Sequence, residues 1–291
     1  MRFFSNEREI HSRHFNTDIN NIRANKNQLE GLDADYVVVM PPFFLMSIDL
    51  ADVVNEHIKS NADVTVVYTR AKKADKDYAN CDEMIFNENG SVEKIVPFSG
   101  NKKQADISLE IFVYKRKVFE NIVHEGKNIS ALYNLRQVVS FMANRGLIKV
   151  NAYKFDGYVA PILSLDHYTR YSFELLDYSV RRKLFKEDWP IYTTTHNTPP
   201  ALYGPNADVQ NSFVANGSII KGKVRNSIIS RDVIVQEGAV VENSILFTSS
   251  EVGEDVRINY VLADKGSHIC EKKRVVGEED DILCIESGER I

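Results

Sequence analysis

Four tetrads near the C-terminus constrain this chain more than any other feature: Asn211-Ser212-Phe213-Val214, Asn226-Ser227-Ile228-Ile229, Asn243-Ser244-Ile245-Leu246 and Asn259-Tyr260-Val261-Leu262. They recur at intervals of 15, 17 and 16 residues. Between them stand single aliphatics followed by Gly or a polar pair, as in Ile220-Lys221-Gly222, Val235-Gln236-Glu237-Gly238 and Val252-Gly253. Spacing this regular predicts one supersecondary unit stacked on itself. Each unit is too short for a helix pair and is rich in β-branched residues, so its elements are predicted to be strands. Three short strands per turn, with Gly and Asn at corners that need φ > 0, describe a left-handed parallel β-helix of the hexapeptide type. One aliphatic per strand then points into a prism-shaped core. An ordinary β-sandwich is the alternative, and the regular intervals favour the β-helix.

The residues ahead of the repeat alternate between strand and helix patterns, which predicts an α/β domain. Tyr36–Met40 reads as a buried strand, Asp49 as the cap of a helix through Val53, Val54 and Ile58, and Val64–Tyr68 as a second buried strand. Together they form one predicted βαβ unit with a right-handed crossover. Met84–Asn87 and Val92–Val96 flank an Asn-Gly hairpin signal. Ile107–Tyr114 is predicted as a strand, Lys115–Val123 and Leu132–Asn144 as helices, and Leu147–Tyr153 as a strand. Leu165–Phe185 is predicted as one long helix stopped by Trp189-Pro190. Thr193–Pro200 is a polar connector, and the coils should begin after Tyr203-Gly204. The expected domains are residues 1–190 and 191–291. Beyond about Ile269 the repeat weakens into Lys272-Lys273-Arg274 and Glu278-Glu279-Asp280-Asp281, a charged tail suited to capping the open end of a solenoid, with Ile282–Ile285 expected as one terminal strand.

Composition narrows the function. The chain has 291 residues, 43% hydrophobic and 26% charged, with a net charge of −5 and its 36 basic residues scattered. Nothing in this suggests a nucleic-acid or membrane partner. The apolar run from Tyr36 to Met46 is too short to span a bilayer, and Met1–Glu9 does not read as a secretory signal. Cys81, Cys270 and Cys284 share no metal-ligand spacing and are expected to be thiols of a cytoplasmic protein.

Trp189-Pro190-Ile191-Tyr192 joining an α/β domain to a β-helix, and Val214-Ala215-Asn216-Gly217 in the first coil, carry a family resemblance. Pro199-Pro200-Ala201, Asp264-Lys265 and the weaker Asn89-Gly90-Ser91-Val92 extend it. On these residues the chain resembles glucose-1-phosphate adenylyltransferase (ADP-glucose pyrophosphorylase), and most of all the GlgD-type subunit of Gram-positive bacteria. The resemblance implies an incomplete Rossmann-like nucleotidyltransferase domain. The chain has no Gly before Gly31, so the family's opening strand and Gly-rich nucleotide loop are expected to be absent, either by truncation or in a natural short form. A shortened sheet of that kind should depend on a partner for stability.

In catalytic members of the family, a sugar-1-phosphate oxygen attacks the α-phosphorus of ATP and pyrophosphate leaves. Two Asp carboxylates hold Mg²⁺ and a Lys holds the sugar phosphate. The first metal position falls in Pro42–Asp49 at Phe43, leaving only the helix-capping Asp49. The second falls at Pro161, with Asp156 five residues earlier expected to serve the turn before Gly157. The Lys position falls at Phe98, and Lys102 and Lys103 beyond it are expected to face solvent. No catalytic, cofactor-binding or metal residue is therefore assigned, and no cofactor is expected in this chain.

Other sites are weaker. His268 is the repeat's lone His and is expected on the surface, so a hexapeptide acyltransferase is not indicated. His196 in the linker has no nucleophile partner, and His11 and His14 around Arg13 read as surface or partner contacts. Tyr168, Tyr171, Phe173 and Tyr178 should pack in a core, or between domains or subunits. Two functions follow. One is a non-catalytic regulatory or assembly subunit that binds a catalytic homologue and answers to a small-molecule effector. The other is an active sugar-1-phosphate nucleotidyltransferase with displaced ligands.

Overall fold

The computed structural model describes residues 17–25, 33–192 and 197–291. His11, Arg13, His14, Gly31 and His196 lie outside the described residues. The chain divides into two compact units, one ending at Pro161 and one running from Ile162 to Ile291.

The first unit opens with helix α1 (Asp18–Ala24), strands β1 (Tyr36–Val39) and β2 (Phe44–Met46), and helix α2 (Leu50–Ser60). Strand β3 (Val64–Ala71), the single turn α3 (Ala74–Asp77), and strands β4 (Asp82–Phe86), β5 (Val92–Pro97) and β6 (Ala105–Lys115) follow. Helices α4 (Arg116–Ile129) and α5 (Leu135–Asn144) and strands β7 (Val150–Lys154) and β8 (Val159–Pro161) complete it. The main sheet has the order β5-β4-β6-β3-β7, with β1 also on β6. β6 is its axis, because it is apolar on both faces: Ile107, Leu109, Ile111 and Val113 enter one core, and Phe112 and Tyr114 the other.

The expected βαβ unit is present with a change. β1 and β3 run in the same direction, since each is antiparallel to β6, but β6 lies between them. Only β3 and β7 pair in parallel among the described strands of this sheet. Local signals elsewhere act as the sequence suggests. Asp49 Oδ1 accepts the Ala51 N–H at 2.8 Å, starting α2, and Asn61 closes it with a φ of 46°. The β4–β5 hairpin turns through Gly90 at φ 77°, with Asn87 Oδ1 accepting the N–H groups of Asn89 and Ser91.

The second unit begins with two helices, α6 (Leu165–Glu174) and α7 (Tyr178–Leu184), where one was expected. Asp177 Oδ1 accepts the Ser179 N–H at 2.7 Å and so starts a new helix. The compact division falls at Pro161, not near residue 190, because these helices pack on the coils. The Tyr168 ring stacks on Phe247 at 6.1 Å, and the Arg181 guanidinium lies 5.1 Å from the centre of the Phe213 ring.

The coils form three parallel sheets of five strands each. Their first strand is Leu202–Tyr203, slightly earlier than expected. Phe213, Ile228, Ile245 and Leu262 stand in register at intervals of 15, 17 and 17 residues. The fourth tetrad is therefore Tyr260-Val261-Leu262-Ala263, one residue later than the sequence pattern suggests. Tyr260 takes the left-handed corner (φ 52°) that Asn211, Asn226 and Asn243 take in the other coils. Asn259 imitates the repeat because its side chain extends the Asn ladder, accepting from Asn243 Nδ2 at 2.9 Å.

The repeat also does not end at Ile269. Arg274–Val276 pairs with Arg257–Asn259, and Leu283–Ile285 pairs with Val261–Ala263. Glu278–Asp281 sit in an enlarged turn between those strands rather than in a cap beyond them. The coil persists because Val275 and Ile285 still supply inward apolar side chains after the Asn and Gly signals are lost.

A column of buried serines joins the coils. Each hydroxyl donates to a carbonyl two residues back and accepts an N–H from the next coil. Ser244 Oγ donates to Glu242 O at 2.6 Å and accepts from Val261 N at 3.1 Å, and Ser227 repeats this one coil earlier. Gly222 is required by close approach: a Cβ there would stand 2.3 Å from the Ala239 carbonyl oxygen.

Candidate functional site

The three positions to which the resemblance assigns ligands all lie in the first unit. β2 and β8 form a two-stranded antiparallel ribbon in which Phe44, next to Phe43, is the register partner of Pro161. Two stretches of chain more than 100 residues apart thus meet at one place. Phe98 leaves β5 and is anchored by its N–H, which donates to Cys81 O at 2.9 Å. Phe43 and Phe98 then pack against the same core, with Phe44, Tyr78, Cys81 and Leu109.

The interior of this site is hydrocarbon. The Phe43 and Phe44 rings meet edge to face at 5.0 Å, and Phe44 lies 6.3 Å from Tyr78. Phe98 and Pro161 are both buried. Burial pushes the Cys81 thiol up to about 12 and holds the Tyr78 hydroxyl well above its ordinary value. Cys81 is therefore a packing residue, not a nucleophile.

A divalent cation needs oxygen ligands, and the residues at these positions do not fit one. The nearest carboxylates in sequence are engaged elsewhere. Asp49 caps α2 from an exposed position. Asp156 is exposed and pairs with Lys154 Nζ at 2.7 Å. Lys102 bonds to Glu83 at 2.8 Å on the surface, and Lys103 is exposed. Among the described residues, no group of three or more His, Cys, Asp or Glu side chains is placed to hold a metal ion. No helix among them is long and apolar enough to cross a membrane.

Two polar clusters were not singled out from sequence. Arg136 on α5 donates to Glu110 and to the Asn80 carbonyl, and its Nε lies 3.5 Å from Asp82. Glu110 occupies a bulge of β6 with a φ of 53°, a left-handed conformation that L side chains rarely adopt. Burial raises both carboxyls against the pull of Arg136. The signal in the sequence was a lone Glu inside the apolar run Ile107–Tyr114. The second is His57 of α2, fully buried, with Nδ1 2.8 Å from Thr65 Oγ1 and its ring edge-on to Tyr36. In the second unit, His268 Nδ1 lies 3.3 Å from Glu251, part-exposed.

The chain is similar to known proteins over most of its length. Residues 201–282 match the family model described as GlmU-like, C-terminal hexapeptide. A glucose-1-phosphate adenylyltransferase of Acetivibrio thermocellus is 25% identical over 241 residues, covering 82% of this chain and 56% of that protein. One from Clostridium perfringens strain 13 is 23% identical over 235 residues, covering 80% and 59%. One from Bacillus thuringiensis strain Al Hakam is 24% identical over 278 residues, covering 92% and 71%. The chain thus spans little more than half the length of the first two relatives. The similarity crosses both units, and the hexapeptide match fits a left-handed β-helix.

Proposed function

We propose that this chain is a subunit of a glucose-1-phosphate adenylyltransferase, which makes ADP-glucose and pyrophosphate from ATP and glucose 1-phosphate for glycogen synthesis. Its contribution is assembly and regulation of a catalytic homologue, in the manner of a GlgD-type subunit. The observation that carries this is the apolar character of all three positions: Phe43 and Phe98 belong to one core, and Pro161 is buried as the register partner of Phe44. Without carboxylates there, the charge stabilisation a metal supplies to the transferring phosphoryl group is not organised, a loss of roughly a thousandfold or more in rate. Relatives bearing the enzyme's name align across both units, which supports the family role.

The test is co-expression with a catalytic homologue from the same cell. ADP-glucose formation is then assayed for each chain alone and for the mixture, with and without phosphorylated sugars as effectors. The expected result is co-purification, no turnover by this chain alone, and a changed kcat or KM in the mixture. Turnover by the isolated chain would replace this reading with an active transferase using displaced ligands. Failure to associate, with no kinetic effect, would remove the subunit reading altogether.

A further inference from the structure

One sheet of the β-helix carries an apolar column on its outer face. Its strands are Phe213–Val214, Ile228–Ile229, Ile245–Leu246, Val261–Ala263 and Leu283–Ile285, stacked in parallel and in register. Val214, Ile229, Leu246, Ala263 and Ile285 pack into the core of the coils. Side chains alternate along a strand, so Phe213, Ile228, Ile245, Leu262 and Cys284 are turned outward. Helices α6 and α7 cover much of this column, through the Tyr168 stack on Phe247 and the Arg181 contact with Phe213. The cover runs out towards the last strand: Ile245 is 1% exposed, Leu262 7%, and Cys284 is open to solvent.

A hollow of about 560 Å³ lies where the cover ends. Its apolar walls are Leu165 and Tyr168 of α6 and Phe247, Leu262 and Ile285 of the coils, with the Cys284 thiol among them. Leu165 is 47% exposed, so the hollow opens at the surface with an apolar lip. Asp264, Glu286 and Ser287 complete the lining from the turns that follow the last two strands. Ser287 Oγ is spent on the Lys265 carbonyl at 2.9 Å, and Asp264 Oδ1 accepts the Lys265 N–H at 2.7 Å. Among the described residues, neither Asp264 nor Glu286 is in an ion pair. Hydrocarbon walls thus stand beside two carboxylates that no cation answers.

We propose that this hollow docks a basic segment of a partner protein, in which a large apolar side chain stands next to a Lys or Arg. The apolar side chain enters over Leu262 and Cys284 and takes the place of the missing cover. The cation beside it meets Asp264 and Glu286. Charge complementarity selects this occupant, because a purely apolar plug would strip water from the carboxylates without replacing it, and an acidic one would be repelled. The exposed apolar lip favours a side chain inserted from another protein's surface over an enclosed small molecule. Every lining residue belongs to the second unit, so the site does not depend on the reading of Phe43, Phe98 and Pro161.

The experiment uses the full chain and a fluorophore-labelled peptide, Gly-Leu-Phe-Lys-Arg-Gly, blocked at both ends and followed by anisotropy. The expected result is saturable binding that weakens as salt rises. Asp264→Asn with Glu286→Gln should lower the affinity about fivefold or more, since exposed ion pairs contribute modestly. Cys284→Trp, which fills the hollow, should abolish binding, and Glu279→Gln, a carboxylate outside it, should leave binding unchanged. Each variant is checked for an unaltered circular dichroism spectrum and melting profile. The peptide should also slow alkylation of Cys284 by iodoacetamide, read by mass spectrometry, while Cys270, an exposed thiol outside the hollow, reacts at its usual rate. Control peptides with Glu-Glu in place of Lys-Arg, or Ser-Ser in place of Leu-Phe, should not bind. Affinity unchanged in the double variant, equal binding of either control peptide, or no protection of Cys284 would overturn the proposal. Phenethylamine binding as tightly as the peptide would make this a small-amine site, and self-association lost in Cys284→Trp would make it a contact between copies of the chain; either result overturns it.

Discussion

Ser244 shows how much one buried hydroxyl holds in place. It is fully buried and is the hydrogen-bond partner of both the Val261 N–H and the Glu242 carbonyl. Ser244→Ala would leave the Val261 N–H without its partner in the core, while the Glu242 carbonyl keeps the Tyr260 N–H at 3.3 Å, so a loss of about 1–3 kcal/mol is expected in urea unfolding. Arg136 is the residue-scale counterpart in the first unit, since its guanidinium is the cation that faces both Asp82 and Glu110, with Ser140 also hydrogen-bonding Asp82. Arg136→Met should cost about 3 kcal/mol at pH 7.5, because it strands two largely buried carboxylates. Burial already raises both carboxyls, so the variant's penalty should shrink as pH falls towards 5 and they protonate. Melting temperatures of wild type and variant across that range check the sign. A penalty that does not change with pH would mean that lost packing, not charge, is responsible. Apart from the lone Glu in an apolar run, little in the sequence marks this cluster. Arg136, Asp82 and Glu110 are separated by up to 54 residues and meet only because α5 packs beside the β4–β6 edge.

At the scale of elements, α2 and β3 are pinned together by His57 and Thr65. Burial is the main cause holding the His57 imidazole below its ordinary value of 6.5, with Lys115 adding repulsion and Asp63 opposing it. Above pH 6.5 the ring is neutral in both the folded and unfolded states, and stability does not depend on it. Below that, the unfolded chain takes up a proton that the folded chain resists, so stability falls as pH drops from about 6.5. His57→Leu should lose this contribution, so the stability difference between wild type and variant should change as pH falls below about 6.5, measured by urea unfolding at half-unit steps between pH 7.5 and 5. Helix caps, the Asn-Gly hairpin and most strand positions were legible in the sequence, because each depends on residues within a few positions of one another. The break between α6 and α7 was less so: apolar spacing continues through Asp177, and only its side-chain bond to Ser179 interrupts the helix.

For the whole molecule, the placement of α6 and α7 has a consequence for fragments. A piece spanning 162–291 keeps the Tyr168–Phe247 stack and the Arg181 contact with Phe213, whereas one spanning 191–291 loses both. The longer fragment should unfold cooperatively at a melting temperature several degrees higher, since about 1 kcal/mol shifts a domain of this size by roughly 4 °C. Equal melting temperatures would place the helices with the first unit instead.

The coils were determined by the sequence itself. Each corner and each inward aliphatic is specified within one short repeat, and stacking multiplies the signal until the architecture is unmistakable. Only the tertiary structure decided that β6 stands between β1 and β3, that Tyr260 takes the corner Asn259 appeared to hold, and that Arg274–Val276 carries the coil onward to the terminal strand already legible at Ile282–Ile285. It also decided that Phe43 and Phe98 share one core and that Phe44 pairs with Pro161. The reason is physical. Turns and caps are set by neighbours in the chain, while strand order, register and the filling of a site are set by which distant apolar surfaces bury one another best.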